Sequence, residues 1–192
     1  MGDIAGVTSK YLALKTWVRG ESGRQQLSFY SVEDGTEVGS GVSLQSLTNS
    51  PLQVGENFVA YTVLDGGRIY FRAYEIATGN VLTLVDVLET PGGLGSIALY
   101  KGYAFIGGAG TLGVYDLGRR RLVWFERDFI EAPEPGKRPA LIASMYVAGS
   151  DLIVHPFSSM GEPRKLDLKS FLAELPPDND PFEPSADVLS GH

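Results

Sequence analysis

The sequence predicts an all-β protein: a propeller-like array of about four antiparallel blades, either a four-bladed ring or part of a larger one, with a short helix near the C-terminus. Three observations carry that prediction. The stretch from Asn57 to Leu88 reads as three consecutive strands, NFVAYTVL, RIYFRAYEI and NVLTLVDVL, joined by the turns Asp65-Gly66-Gly67 and Ala77-Thr78-Gly79. β-branched and aromatic residues dominate these runs, and the glycines supply the positive φ angles that short hairpin turns require. The outline then recurs, with Leu12, Phe58 and Tyr103 spaced 46 and 45 residues apart, and a period of about 45 residues is how propeller blades repeat. Finally, in the central strand Ile69, Phe71 and Ala73 alternate with Tyr70, Tyr74 and Ile76, so both faces are largely apolar and both must be covered. A blade packed between two others meets that demand.

Composition agrees with such an array and narrows its partners. The 192 residues suit one domain or one repeat array, 43% of them are hydrophobic, and 24 glycines fit many short strands that turn often. Sixteen Lys plus Arg against 23 Asp plus Glu leave a net charge of −7, so no broad basic surface for nucleic acid is expected. Cysteine is absent, which removes disulfides and thiolate metal sites and leaves the compartment open. The N-terminus MGDIAGVTSKYLAL has neither the basic start nor the apolar core of a signal peptide, and no apolar run reaches about 18 residues. A soluble chain without a transmembrane segment is the expectation.

Taken in order, the first repeat runs from about Asp3 to Leu47, with TSKYLALKTWV and RQQLSFYSVE as its clearest strands. Gly20-Glu21-Ser22-Gly23 forms the polar tip between them, and Glu33-Asp34-Gly35-Thr36 the second turn. Thr48-Asn49-Ser50-Pro51 crosses to the second repeat, which opens with PLQV and the Gly55-Glu56-Asn57 turn. The third repeat starts at Ser96-Ile97-Ala98-Leu99-Tyr100, turns at Lys101-Gly102, and continues as YAFIGG, TLGVYDL and LVWFERD. Three prolines in EAPEPGKRPA deny it a place as a central strand and mark a long crossover loop, the kind of segment that carries binding residues. The fourth repeat has LIASMYV, a Gly149-Ser150 turn and DLIVHPF, then loses regularity through SSMGEPRKLDL. Leu168, Phe171, Leu172 and Leu175 fall at helical spacing behind Asp167 as a cap, which predicts a helix from about Leu168 to Leu175, stopped by Pro176-Pro177. The array thus spans residues 1–175, and the acidic, proline-rich residues 176–192 form a flexible tail.

The third repeat carries a family likeness. KGYAFIGGAGTLGVYDLGRRRLVWF resembles a repeat of the quinoprotein-like (PQQ-like) β-propellers, with Gly102, Tyr103, Leu112, Asp116 and Trp124 at that family's Gly, aromatic, Leu, Asp and Trp positions. The second repeat follows through Ala73-Tyr74-Glu75-Ile76-Ala77-Thr78-Gly79, with Glu75 for the Asp and Leu82 or Leu84 for the Trp; the first and fourth match in outline. The resemblance implies the propeller fold. Its members include quinone-dependent dehydrogenases and non-catalytic scaffolds for protein contacts, so fold transfers where chemistry does not. The dehydrogenases use a calcium site, a catalytic Asp and in many cases a vicinal cysteine pair; no cysteine exists here, and no cofactor is expected.

The remaining motifs read as structure. Gly108-Ala109-Gly110-Thr111-Leu112-Gly113 spells GxGxxG, but it runs into the strand-like VYDL where a dinucleotide site needs a helix. His155 reads as a strand-end histidine bonded to backbone, and Asp178-Asn179-Asp180 as an acidic tail, because Glu183 stands where a calcium loop needs glycine. Arg119-Arg120-Arg121 reads first as a solvated turn, but it is more informative than the others, since three guanidinium groups in one hairpin turn suit a carboxylate or phosphate. The expected role is therefore non-catalytic recognition of another protein through loops, Gly20 to Gly23 and Glu131 to Ala140. The candidate partner-binding residues are Arg119, Arg120, Arg121, Glu134, Lys137 and Arg138. A segment of a quinoprotein-type dehydrogenase and a carbohydrate-binding propeller are the alternatives. If the array is half a ring, Leu12, Leu14, Trp17, Ile153 and Phe157 leave apolar faces uncovered, which predicts self-association end to end or membership of a longer propeller chain.

Overall fold

The computed structural model describes residues 2–21, 23–45, 52–65, 68–84, 96–108, 110–127, 129–130, 142–157 and 162–175. These form an all-β chain of four antiparallel sheets and one short helix. The sheets are built from β1 (Gly2–Val7), β2 (Tyr11–Trp17), β3 (Arg24–Ser31) and β4 (Glu37–Gln45); β5 (Leu52–Val54), β6 (Phe58–Asp65), β7 (Arg68–Glu75) and β8 (Val81–Leu84); β9 (Ser96–Tyr100), β10 (Tyr103–Gly107), β11 (Leu112–Asp116) and β12 (Arg121–Glu126); and β13 (Ile142–Ala148), β14 (Asp151–Pro156) and β15 (Arg164–Asp167). Each sheet is a meander in which strands consecutive in sequence are neighbours in space. Each also coincides with one sequence repeat. Helix α1 (Leu168–Ala173) follows β15 where the other repeats have a fourth strand.

The chain divides into two compact units, Met1–Leu84 and Val85–His192. In the first, alternation along the strands sends Ala13, Leu27, Phe29 and Val42 to one face of the β1–β4 sheet, where they meet Val59, Tyr61, Tyr74 and Ile76 of the next sheet. The rings of Phe29 and Tyr74 stack at 5.4 Å. Burying a side chain of this size contributes about 1.5–3 kcal/mol, so the junction holds the two sheets together. Strand β4 is bulged, with the register shifting opposite Leu27 and Phe29. Gly41 makes the bulge feasible: its φ is +71°, and a Cβ there would lie 2.6 Å from the Leu27 carbonyl oxygen.

In the second unit Phe105, Leu112, Val114 and Val123 pack on Ile142, Met145, Leu152 and Val154. The Met145 N–H donates to Ser96 Oγ at 2.8 Å, joining β13 to β9. Trp124 meets Phe129 and Phe171 edge-on at 6.4 and 5.0 Å, so Trp124 is a packing residue. Helix α1 begins as its sequence signals, with Asp167 as the cap accepting from the N–H groups of Lys169 and Ser170, and ends at Ala173, short of Leu175. The stretch before it, irregular by sequence, contributes strand β15 beside β14. Residues 176–192 lie outside the described residues. No helix among the described residues is long and apolar enough to cross a membrane.

One backbone hydrogen bond recurs in all four repeats. The residue after each third strand donates its N–H to the turn between the first two strands: Val32 to Lys10 O at 2.9 Å, Ile76 to Asn57 O at 2.9 Å, Leu117 to Gly102 O at 2.9 Å, and Leu168 to Ser150 O at 2.8 Å. This tie fixes the correspondence between repeats residue by residue. It also places Ser31, Glu75, Asp116 and Asp167 at one shared position, directly before the donor.

Candidate functional site: the cationic end of the third sheet

The shared position caps the turn that follows it. Ser31 Oγ accepts from the N–H of Glu33 at 3.2 Å, Glu75 Oε2 from the Thr78 hydroxyl at 2.6 Å, and Asp116 Oδ1 from the Arg119 N–H at 3.0 Å. Asp116 therefore caps the turn that follows it. The first two turns close with a glycine in the left-handed region, Gly35 at φ 73° and Gly79 at φ 75°. The third has Arg120 there, at φ 57°.

A second cation repeats the pattern beside it. The tie from Leu117 to Gly102 brings the Lys101-Gly102 turn next to the arginine hairpin. Lys101 has φ 46° where the fourth repeat has Gly149, at φ 66°. Lys101 and Arg120 are the two non-glycine residues with positive φ among the described residues, and both lie at this one end of the third sheet. Left-handed backbone costs an ordinary side chain roughly 1–2 kcal/mol, and neither residue is an Asn or Asp that relieves it locally.

Charge at this end is one-sided. Lys101, Arg119, Arg120 and Arg121 belong to the two turns and the strand start at this end, and Asp116 is the buried carboxylate among the described residues of the same hairpin. Arg119 Nη1 lies 3.3 Å from Asp116 Oδ2 with its side chain half exposed, and Arg121 is half-buried opposite Asp116 across the β11–β12 pair. Lys101 Nζ sits 5.1 Å from the centre of the Tyr100 ring, and Lys101 and Arg120 are exposed. On a chain with net charge −7 this is a local reversal of sign.

Of the residues singled out by sequence, the three arginines share this hairpin, whereas Glu134, Lys137 and Arg138 lie outside the described residues. By sequence Lys101 is only part of the Lys101-Gly102 turn. Its signal is comparative: a lysine occupies a turn position that glycine holds in a sister repeat. Elsewhere, Gly110 turns at φ 74° and the GxGxxG run enters strand β11, so no helix N-terminus follows it. His155 lies on β14 with its ring stacked on Tyr146 at 5.7 Å. Among the described residues no group of three His, Asp or Glu side chains is placed to hold a metal ion. In comparison with known proteins, no family model matches the chain and no curated protein matches it.

Proposed function

We propose that the chain is a non-catalytic scaffold of propeller-type blades that recognises a carboxylate-rich segment of another protein through the cationic end of its third sheet. The observation that carries this reading is the pairing of charge with left-handed backbone: Lys101 holds a position that glycine fills in the fourth repeat, and Arg120 one that glycine fills in the first two. Among the described residues, left-handed backbone at non-glycine positions is confined to this spot, and such strain is the kind that function retains. Two exposed cations on either side of the Arg119–Asp116 pair in sequence offer charge-assisted hydrogen bonds to carboxylates, and the pair itself fixes the hairpin. The blade part of the proposal is supported by the tie common to all four repeats and by the likeness of the third repeat to the PQQ-like propellers.

The test is fluorescence anisotropy with a labelled glutamate-rich peptide, on the native chain and on a Lys101→Gly/Arg120→Gly variant. Glycine relieves the backbone, so the variant is expected to resist denaturant better than the native chain while binding the peptide at least tenfold more weakly. A native chain that leaves the peptide unbound at micromolar concentration, or a variant that binds as well as the native chain, overturns the proposal.

A further inference from the structure

The faces that neighbouring repeats press together are also present, uncovered, on the first and fourth repeats. In the first unit, the second repeat meets the first through Val54, Val59, Tyr61, Tyr74 and Ile76. The recurring tie matches Asn57 to Lys10 and Ile76 to Val32, so the same positions in the first repeat are Val7, Leu12, Leu14, Tyr30 and Val32. In the fourth repeat they are Val147, Leu152, Val154, Leu166 and Leu168, which pack into the core of the second unit. The first repeat keeps this apolar set but buries little of it. Val7 is 66% and Val32 53% exposed, the adjoining Ile4 is 68% exposed, and Leu12, Leu14 and Tyr30 are only half-buried.

The seat that receives such a face has the same kind of vacancy. It is formed by Ala13 with Phe29 in the first repeat and by Phe105 with Val114 in the third, all fully buried. In the fourth repeat those positions are Ile153, half-buried, and Lys165, exposed. Around them stand Tyr146, 48% exposed and stacked on His155, and Phe157, 37% exposed. Lys165 is paired with Asp151 at 2.7 Å, so the face carries its own counter-charge.

A face and its matching seat, both exposed on one chain, define the occupant of each. We infer that the chain self-associates head to tail, the first-repeat face of one copy seating on the outer face of the fourth-repeat sheet of a second copy. The junction reuses the packing that joins β1–β4 to β5–β8 and β9–β12 to β13–β15. Such a heterologous contact closes into a ring or extends into a chain according to its angle. The inference does not depend on the cationic site.

Light scattering on the full chain, across a dilution series, tests it together with two variants altered only at exposed positions. Val7→Asp/Val32→Asp spoils the face, and Tyr146→Asp/Phe157→Asp spoils the seat. The native chain is expected to assemble beyond a monomer and each variant to be monomeric. An equimolar mixture of the two variants should form a dimer, because one intact seat then meets one intact face. A native chain that stays monomeric at tens of micromolar, or a mixture that does not associate, overturns the inference. Should a variant unfold, hydrogen exchange on the native chain decides: amides of β1–β2 and β13–β14 gain protection together as concentration rises, and no change with concentration overturns it.

Discussion

Arg120 shows how one residue departs from its repeat. Arg120→Gly removes roughly 1–2 kcal/mol of left-handed strain and adds about 0.5–1 kcal/mol of unfolded-state entropy, so a net gain of about 0.5–1 kcal/mol is expected in urea unfolding. Nothing in the residue types Arg-Arg-Arg announces this, because sequence gives charge directly and backbone angle only through glycine. The arginines were legible for that reason, and the strain on Arg120 and Lys101 was not. Tyr61 gives a second residue-scale expectation. Burial pushes its phenol above the ordinary value, against a smaller opposing effect of the Arg72 charge. A raised folded value means that its contribution is complete below about pH 10 and is lost as pH rises through the folded value. Tyr61→Phe should therefore flatten the alkaline fall in stability above pH 10, measured as melting temperature against pH.

At the scale of elements, the hairpin strands were readable because their apolar residues alternate and their turns carry glycine. Two strands were harder. β1, GDIAGV, and β4, EVGSGVSLQ, are rich in glycine and short of β-branched runs, and β4 owes its pairing to a bulge that Gly41 permits rather than to strand propensity. Helix α1 was legible from its cap and its leucine spacing, while β15 was not: RKLD has one apolar residue and is a strand because β14 pairs with it. Asp167 caps that helix from the position that Asp116 and Glu75 hold in their turns. Asp167→Ala should cost about 1 kcal/mol in chemical denaturation, with loss of helical ellipticity but no change in peptide binding at the third sheet.

Across the whole molecule, the repetition was legible in the near-45-residue spacing of Leu12, Phe58 and Tyr103, but the tie corrects its first member by one residue: Tyr11, not Leu12, stands with Phe58 and Tyr103 directly after the acceptor. The proposed cationic site was only partly legible, since it needs two turns about fifteen residues apart to meet, and Glu134, Lys137 and Arg138 stand outside the described residues. Salt should separate the two proposed contacts. Exposed charges are screened beyond about 8 Å at physiological ionic strength, so peptide binding at Lys101 and Arg120 should weaken between low and high salt in anisotropy titrations. Association through Val7, Val32 and Tyr146 buries apolar surface and should persist or tighten in the same buffers, by light scattering. The tie has a kinetic consequence as well. Each one closes a loop of about twenty residues, and contacts so near in sequence form early and cheaply during folding. Each meander can therefore close locally, but its core is completed only by the next repeat, so that on a ribosome the chain would gain stable structure in pairs of repeats as it emerges.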